Sequence, residues 1–132
     1  MQASGFAGEI FRLRNPVVAL DPAFANNGYL YLSYTPGNPQ QARIARFEHQ
    51  ENSGGLSSKG VLASETVLWE DTDGYLACCH YGGGLEFGPD DKIWLTTSDK
   101  FTATNAGEGG FGGEDLPIDL SSTSGKIIRI NS

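Results

Sequence analysis

Apolar and polar residues alternate along this chain in short runs separated by turn residues. Ile93, Leu95 and Thr97 interleave with Lys92, Trp94 and Thr96, the period-two signature of a strand with two different faces. Similar runs predict strands over Val17–Leu20, Tyr29–Tyr34 and Ala42–Glu48, and an outer strand from Val61-Leu62 and Thr66–Glu70. A further short strand is expected at Glu9–Leu13, leading to a stop at Pro16. Between them, Asn26-Asn27-Gly28 supplies the positive-φ positions of a tight turn, Thr35–Gln41 is a surface loop, and His49–Lys59 is a longer polar connection. Gly88-Pro89-Asp90-Asp91 joins a strand before it to the one at Ile93, because proline presets φ and aspartate bonds its own backbone. No stretch sustains the i, i+3, i+4, i+7 pattern of an amphipathic helix, so the chain reads as all-β with helix nearly absent.

The two halves resemble each other. Gly28-Tyr29-Leu30-Tyr31-Leu32-Ser33-Tyr34 matches Asp91-Lys92-Ile93-Trp94-Leu95-Thr96-Thr97 in pattern, and Arg43-Ile44-Ala45-Arg46-Phe47 matches Lys126-Ile127-Ile128-Arg129-Ile130. Between these the second half inserts Asp99–Ser124, rich in glycine and acid. A repeated strand-turn-strand-loop-strand unit is what a propeller blade looks like in sequence. The fold class expected is therefore about two antiparallel four-stranded blades, the first near residues 10–73 and the second, incomplete, near 74–132. A closed ring needs at least about four blades, so the 132 residues are expected to be part of a larger propeller, and by themselves to self-associate through unpaired edges and apolar faces.

Composition narrows the functional classes. The chain has 18 glycines and 6 prolines, which favours turns, and 39% hydrophobic residues, enough for a core. Its net charge of -7, from 9 Lys plus Arg against 16 Asp plus Glu, argues against nucleic acid, whose binding needs clustered cations, and disfavours anionic membranes. No apolar run reaches the roughly 20 residues of a membrane span, and Met1-Gln2-Ala3-Ser4-Gly5 does not resemble a signal peptide. Cys78 and Cys79 are adjacent and cannot bridge distant strands; they read as two thiols facing opposite sides of a strand, with a strained vicinal disulfide as the alternative. With His49 and His80 the only histidines, the pair lacks the ligands of a tetrahedral metal site. The acidic residues Asp99, Glu108, Glu114, Asp115 and Asp119 could offer oxygens to calcium but read first as a solvated loop, so no metal ligand is assigned. Trp69 and Trp94, alternating with apolar residues, read as packing between blades rather than as sugar-stacking platforms.

One stretch carries the candidate chemistry: His80-Tyr81-Gly82-Gly83-Gly84-Leu85-Glu86-Phe87-Gly88-Pro89-Asp90, followed by Ile93-Trp94-Leu95-Thr96-Thr97-Ser98-Asp99. By residue type alone, His80 caps a strand beside glycines that let something approach the backbone closely. The string resembles the glucose/sorbosone dehydrogenase family, and Ala19–Tyr34 before it and Gly125–Ile130 after it match in the family's order. The resemblance implies a six-bladed propeller, extracellular or periplasmic in its complete form, which oxidises the C1 hydroxyl of a sugar by hydride transfer to pyrroloquinoline quinone beside Ca²⁺. It implies that His80 is the general base, a task suited to imidazole because its pKa lies near working pH. Arg14-Asn15-Pro16 is similar to a family motif whose Arg and Asn face cofactor and substrate, which makes Arg14 and Asn15 candidate cofactor contacts, although the family places that motif in a later blade. Where well-studied members carry aspartate before the histidine, this chain has Cys79, and a thiol is a poor substitute for a carboxylate that orients imidazole. The alternative is a propeller that binds without oxidising, similar to hedgehog-interacting-protein-like relatives.

Overall fold

The computed structural model describes residues 14–36, 41–51, 58–71, 83–98 and 118–132. Its first four strands, β1 (Arg14–Leu20), β2 (Tyr29–Thr35), β3 (Arg43–Glu51) and β4 (Ser58–Glu70), form one antiparallel sheet in chain order. The link from β1 to β2 contains a four-residue helix, α1 (Phe24–Asn27). Asp21 organises it: its Oδ1 accepts the Ala23 N–H and the Asn27 side-chain amide, both at 2.8 Å. Gly28, at φ 65, closes the helix with its N–H on the Phe24 carbonyl. Only glycine holds that conformation at no steric cost. Asn26 and Asn27 were expected to share it, but they are helical, and among the described residues only Gly28, Asp91 and Gly125 have positive φ.

Three boundaries depart from the sequence reading. β1 does not begin after Pro16 but runs through it, with a register shift between Arg14 and Val17. Proline lacks a donor, and β1, as an edge strand with a local irregularity, is where a sheet tolerates it. Both ends of the connection expected over His49–Lys59 are strand, since β3 continues to Glu51 and pairs with β4 from Ser58 onward. The outer strand is continuous from Ser58 to Glu70, taking up its irregular pattern in two register shifts against β3. The strand expected at Glu9–Leu13 lies outside the described residues.

The second sheet holds β5 (Leu85–Phe87), β6 (Ile93–Thr96) and β7 (Ile127–Ile130), again antiparallel and in chain order. Its registers repeat those of the first. Leu30↔Phe47, Tyr31↔Arg46, Leu32↔Ala45 and Ser33↔Ile44 recur as Ile93↔Ile130, Trp94↔Arg129, Leu95↔Ile128 and Thr96↔Ile127. Toward the inner strand, Val18↔Leu32 and Leu20↔Leu30 recur as Leu85↔Leu95 and Phe87↔Ile93. Asp91, with φ 56, stands where Gly28 stands in the first unit. The chain is thus all-β, built of two like antiparallel sheets of four and three strands, as expected for partial propeller blades.

The sheets pack face to face. Tyr31 and Ile44 on the first meet Leu85, Ile93 and Leu95 on the second in one buried cluster, flanked by Val17, Ala19, Trp69, Phe87 and Ile130. The Tyr31 and Phe87 rings meet edge to face, with centroids 5.0 Å apart, a geometry that adds to the burial itself. Each aliphatic side chain removed from water here contributes about 1.5–3 kcal/mol. The opposite face of the first sheet buries Leu32, Tyr34, Ala45 and Phe47. Trp69 packs against the inter-sheet core as expected, whereas Trp94 points to the outer face of the second sheet, where the Arg129 guanidinium lies 5.7 Å from its ring centroid.

Candidate functional site

Because both sheets run antiparallel in chain order, β1, β3, β5 and β7 begin at one end of their sheets, and β2, β4 and β6 finish there. A buried clasp ties these ends together across the two sheets. Asp71, which follows β4, is wholly buried, and its Oδ1 accepts the Thr123 hydroxyl at 2.7 Å from the loop leading into β7. The Asp71 amide donates to the Ala42 carbonyl at 2.8 Å, fixing the carboxylate against the start of β3. A buried carboxylate is costly without donors, so this bond links the end of the first sheet to the second.

The loop around Thr123 is held just as closely. Thr97 Oγ1 donates to the Thr123 carbonyl at 2.5 Å and accepts the Lys126 amide at 2.8 Å. Ser124, wholly buried, donates to the Ser98 carbonyl at 3.1 Å, and Lys126 Nζ donates to the Ser124 carbonyl at 2.6 Å. Gly125, at φ 62, supplies the left-handed turn that lets its amide reach the Ser98 carbonyl.

Into this end leads the segment that carries the glycine run. The Gly83 amide donates to the Thr96 carbonyl at 3.2 Å, and the Gly84 amide to Thr96 Oγ1 at 2.7 Å. A Cβ on Gly84 would stand 2.9 Å from that oxygen, so the close approach itself requires glycine. The chain before Gly83, with Cys78, Cys79 and His80, lies outside the described residues, as do Asp99, Glu108, Glu114 and Asp115. Arg14 pairs with Thr35, which sets the backbone of Arg14 and Asn15 at this same end of the first sheet, while their side chains lie outside the description. β1 and β5 touch each other, so the segments bearing the three candidate residues start adjacent strands from one end. Asp119 is engaged in its own turn, its Oδ1 accepting the Ser121 amide at 2.8 Å and hydroxyl at 2.7 Å.

Two other polar clusters are structural. At the opposite end, Tyr31 donates to Asp21 Oδ2 at 2.9 Å. Burial, and then that bond, push the Tyr31 phenol up to about 12. Burial raises the Asp21 carboxyl too, but the donors on Asn27, Ala23 and Tyr31 outweigh it and hold the group below its ordinary value. On the flank of the first sheet, Arg43 Nε donates to Glu70 at 2.9 Å and Nη1 to Glu65 at 3.3 Å, while the Tyr34 hydroxyl donates to Glu65. That cation is already engaged by two carboxylates. Among the described residues, no group of three or more His, Cys, Asp and Glu side chains could hold a metal ion.

The clasp was not legible beforehand. Asp71 reads as a turn residue beside Asp73-Gly74, and its partner lies 52 positions away. The only local signal is an acid directly after an outer strand.

No curated protein matches the chain. The family model for glucose/sorbosone dehydrogenase matches residues 17–132, which includes His80 and leaves Arg14 and Asn15 outside the match.

Proposed function

The chain belongs to the glucose/sorbosone dehydrogenase family, and from that premise we propose that it supplies two blades of a propeller that oxidises an aldose sugar at its C1 hydroxyl. Pyrroloquinoline quinone, when bound, would accept the hydride, with Ca²⁺ beside it. The described residues contain no ligand set for that cation, so this reading leaves its oxygens to other parts of the ring. The role given to this chain is to present His80 as the base that takes the C1 hydroxyl proton, with Arg14 and Asn15 as neighbouring contacts. The working protein, in this reading, acts outside the cytoplasm.

One observation carries the reading. The glycine run that follows His80 starts β5 at the end where β1 also starts, on two sheets that touch and are clasped there by Asp71 and Thr123. This supports reading His80, which precedes those glycines in sequence, as a base for a ligand shared between blades, since glycines admit close approach.

A second reading rests on Cys79. Without a carboxylate in front of the histidine, nothing adjacent in sequence fixes the tautomer of the imidazole, and a scaffold that binds without oxidising would not need it. Both readings are tested in the complete propeller reconstituted with the quinone and Ca²⁺, by dye-linked oxidation of aldoses. His80→Ala should lower turnover by roughly 10²-fold or more, the usual worth of general base catalysis, and leave quinone binding nearly intact. Cys79→Asp should raise turnover if orientation is what limits it. Absence of sugar oxidation in both the natural protein and the Cys79→Asp variant would leave the binding scaffold.

A further inference from the structure

We infer that Asn27 is a latent deamidation site, kept intact by the Asp21 lock and converted irreversibly to aspartate or isoaspartate when the β1–β2 link opens. Asn27-Gly28 is the one Asn-Gly pair in the sequence, and Asn27 is exposed to water. The reaction is internal. The Gly28 backbone nitrogen gives up its proton and attacks the Asn27 side-chain carbonyl carbon, the bond from that carbon to Nδ2 breaks, and Nδ2 leaves with a proton as ammonia. Water then opens the cyclic imide at either carbonyl, giving aspartate or isoaspartate. Glycine favours the attack because no Cβ shields its nitrogen or restricts its backbone.

The closed link blocks each part of that step. The Gly28 N–H is spent on the Phe24 carbonyl at 2.8 Å, so the nitrogen is not presented to the side chain. The Asn27 amide is held at both ends, with Nδ2 donating to Asp21 Oδ1 at 2.8 Å and Oδ1 accepting the Tyr29 amide at 3.0 Å. The Tyr29 donor also draws electron density from the carbonyl, which favours attack, but an amide nitrogen attacks only once its proton is gone, and Phe24 holds that proton. Attack therefore waits for local opening of the link. Opening is opposed by Asp21, whose Oδ1 also accepts the Ala23 amide at 2.8 Å and whose Oδ2 accepts the Tyr31 hydroxyl at 2.9 Å. The product cannot restore the lock. A carboxylate at position 27 has no N–H to give and would face the Asp21 carboxylate as a like charge. Isoaspartate adds a carbon to the main chain just where Gly28 turns at φ 65.

The inference is independent of catalysis. It is tested in the complete propeller by peptide mapping with mass spectrometry, following conversion of Asn27 at mildly alkaline pH in the folded protein, in the urea-unfolded protein and in a free peptide of residues 21–31. The folded protein should convert roughly tenfold or more slowly than the other two, and Asp21→Ala, which removes hydrogen bonds to a carboxylate, should recover roughly that factor. Asn27→Asp, which writes the product directly, should lower the urea unfolding midpoint. If Asp21→Ala loses its β circular dichroism, hydrogen exchange at the Gly28 amide of the natural protein replaces it, and urea below the midpoint should speed exchange and conversion together. A folded protein that converts as fast as the peptide, a folded Asp21→Ala variant that converts no faster than the natural protein, conversion that does not follow exchange at Gly28, or an Asn27→Asp variant as stable as the natural protein would each overturn the inference.

Discussion

Ile44 and Ile127 occupy the same place in two superimposable sheets, one wholly buried against the neighbouring sheet and one largely in solvent. Truncating each to alanine removes the same atoms, so the difference reports the cover that Ile44 has and Ile127 lacks, from the neighbouring sheet and from Trp69 on β4. At Ile44 the lost groups are worth about 0.8 kcal/mol per carbon, roughly 2.4 kcal/mol in all. A cavity term adds to this, because Tyr31, Leu85, Ile93 and Leu95 cannot collapse fully onto the gap, which places the expected loss at about 2–5 kcal/mol. At Ile127 the side chain is already hydrated, and the expected loss is within about 0.5 kcal/mol. Urea unfolding of both variants, at concentrations low enough to keep the chain monomeric, should show a large fall in midpoint for Ile44→Ala, almost none for Ile127→Ala, and unchanged slopes. Equal losses would refute the face-to-face packing.

The loop lock at Asp21 predicts a pH response. Its carboxyl is held below the ordinary 3.8, so its contribution is present above that value and fades as pH falls through the lower folded value; Asp21→Asn should flatten this acid limb of an unfolding-midpoint profile. The Tyr31 phenol moves the other way, from 10.0 to about 12, so its contribution is complete below pH 10 and fades as pH rises toward 12. Tyr31→Phe should remove that alkaline loss while costing about 1 kcal/mol at neutral pH. An alkaline limb unchanged in Tyr31→Phe would count against the Tyr31–Asp21 bond. At the candidate site, Gly84→Ala should cost about 1–3 kcal/mol through the clash with Thr96 Oγ1. Thr96→Ala removes that oxygen, so the double variant should cost less than the sum of the singles, and strict additivity in the cycle would refute the close approach.

Much of the fold was legible because the signals are local. The alternation at Ile93 and Leu95, the Gly88-Pro89 turn and the repeated strand pairs each sit within a few residues, and together they anticipate two like sheets. What failed depends on where a strand lies in its sheet. Pro16 reads as a stop until β1 is known to be an edge, where a missing donor is tolerated. The extension of β3 and β4 through residues 49–51 and 58–60 is polar, because its far end lacks the apolar cover that marks a strand in sequence. Trp69 and Trp94 look alike in sequence, and only the order in which the sheets stack separates the packed ring from the exposed one.

The candidate site divides along the same line. A histidine before glycines is a chemical signal in the sequence, and the glycines find a physical reason in the 2.9 Å that separates a Gly84 Cβ from Thr96. The Asp71–Thr123 clasp has no such signal, because a carboxylate becomes structural only when a distant hydroxyl reaches it in a buried place. Yet the clasp brings the ends of both sheets together, and it is the last described residue before the segment that carries His80. On either side of that segment in sequence, Asp71 is held in the first sheet, and Gly83 and Gly84 are held on the second. Those two anchors are set relative to each other by the packing of the sheets, so loosening the inter-sheet core at Ile44 or Ile93 should shift Asp71 against Gly84 before it unfolds the chain.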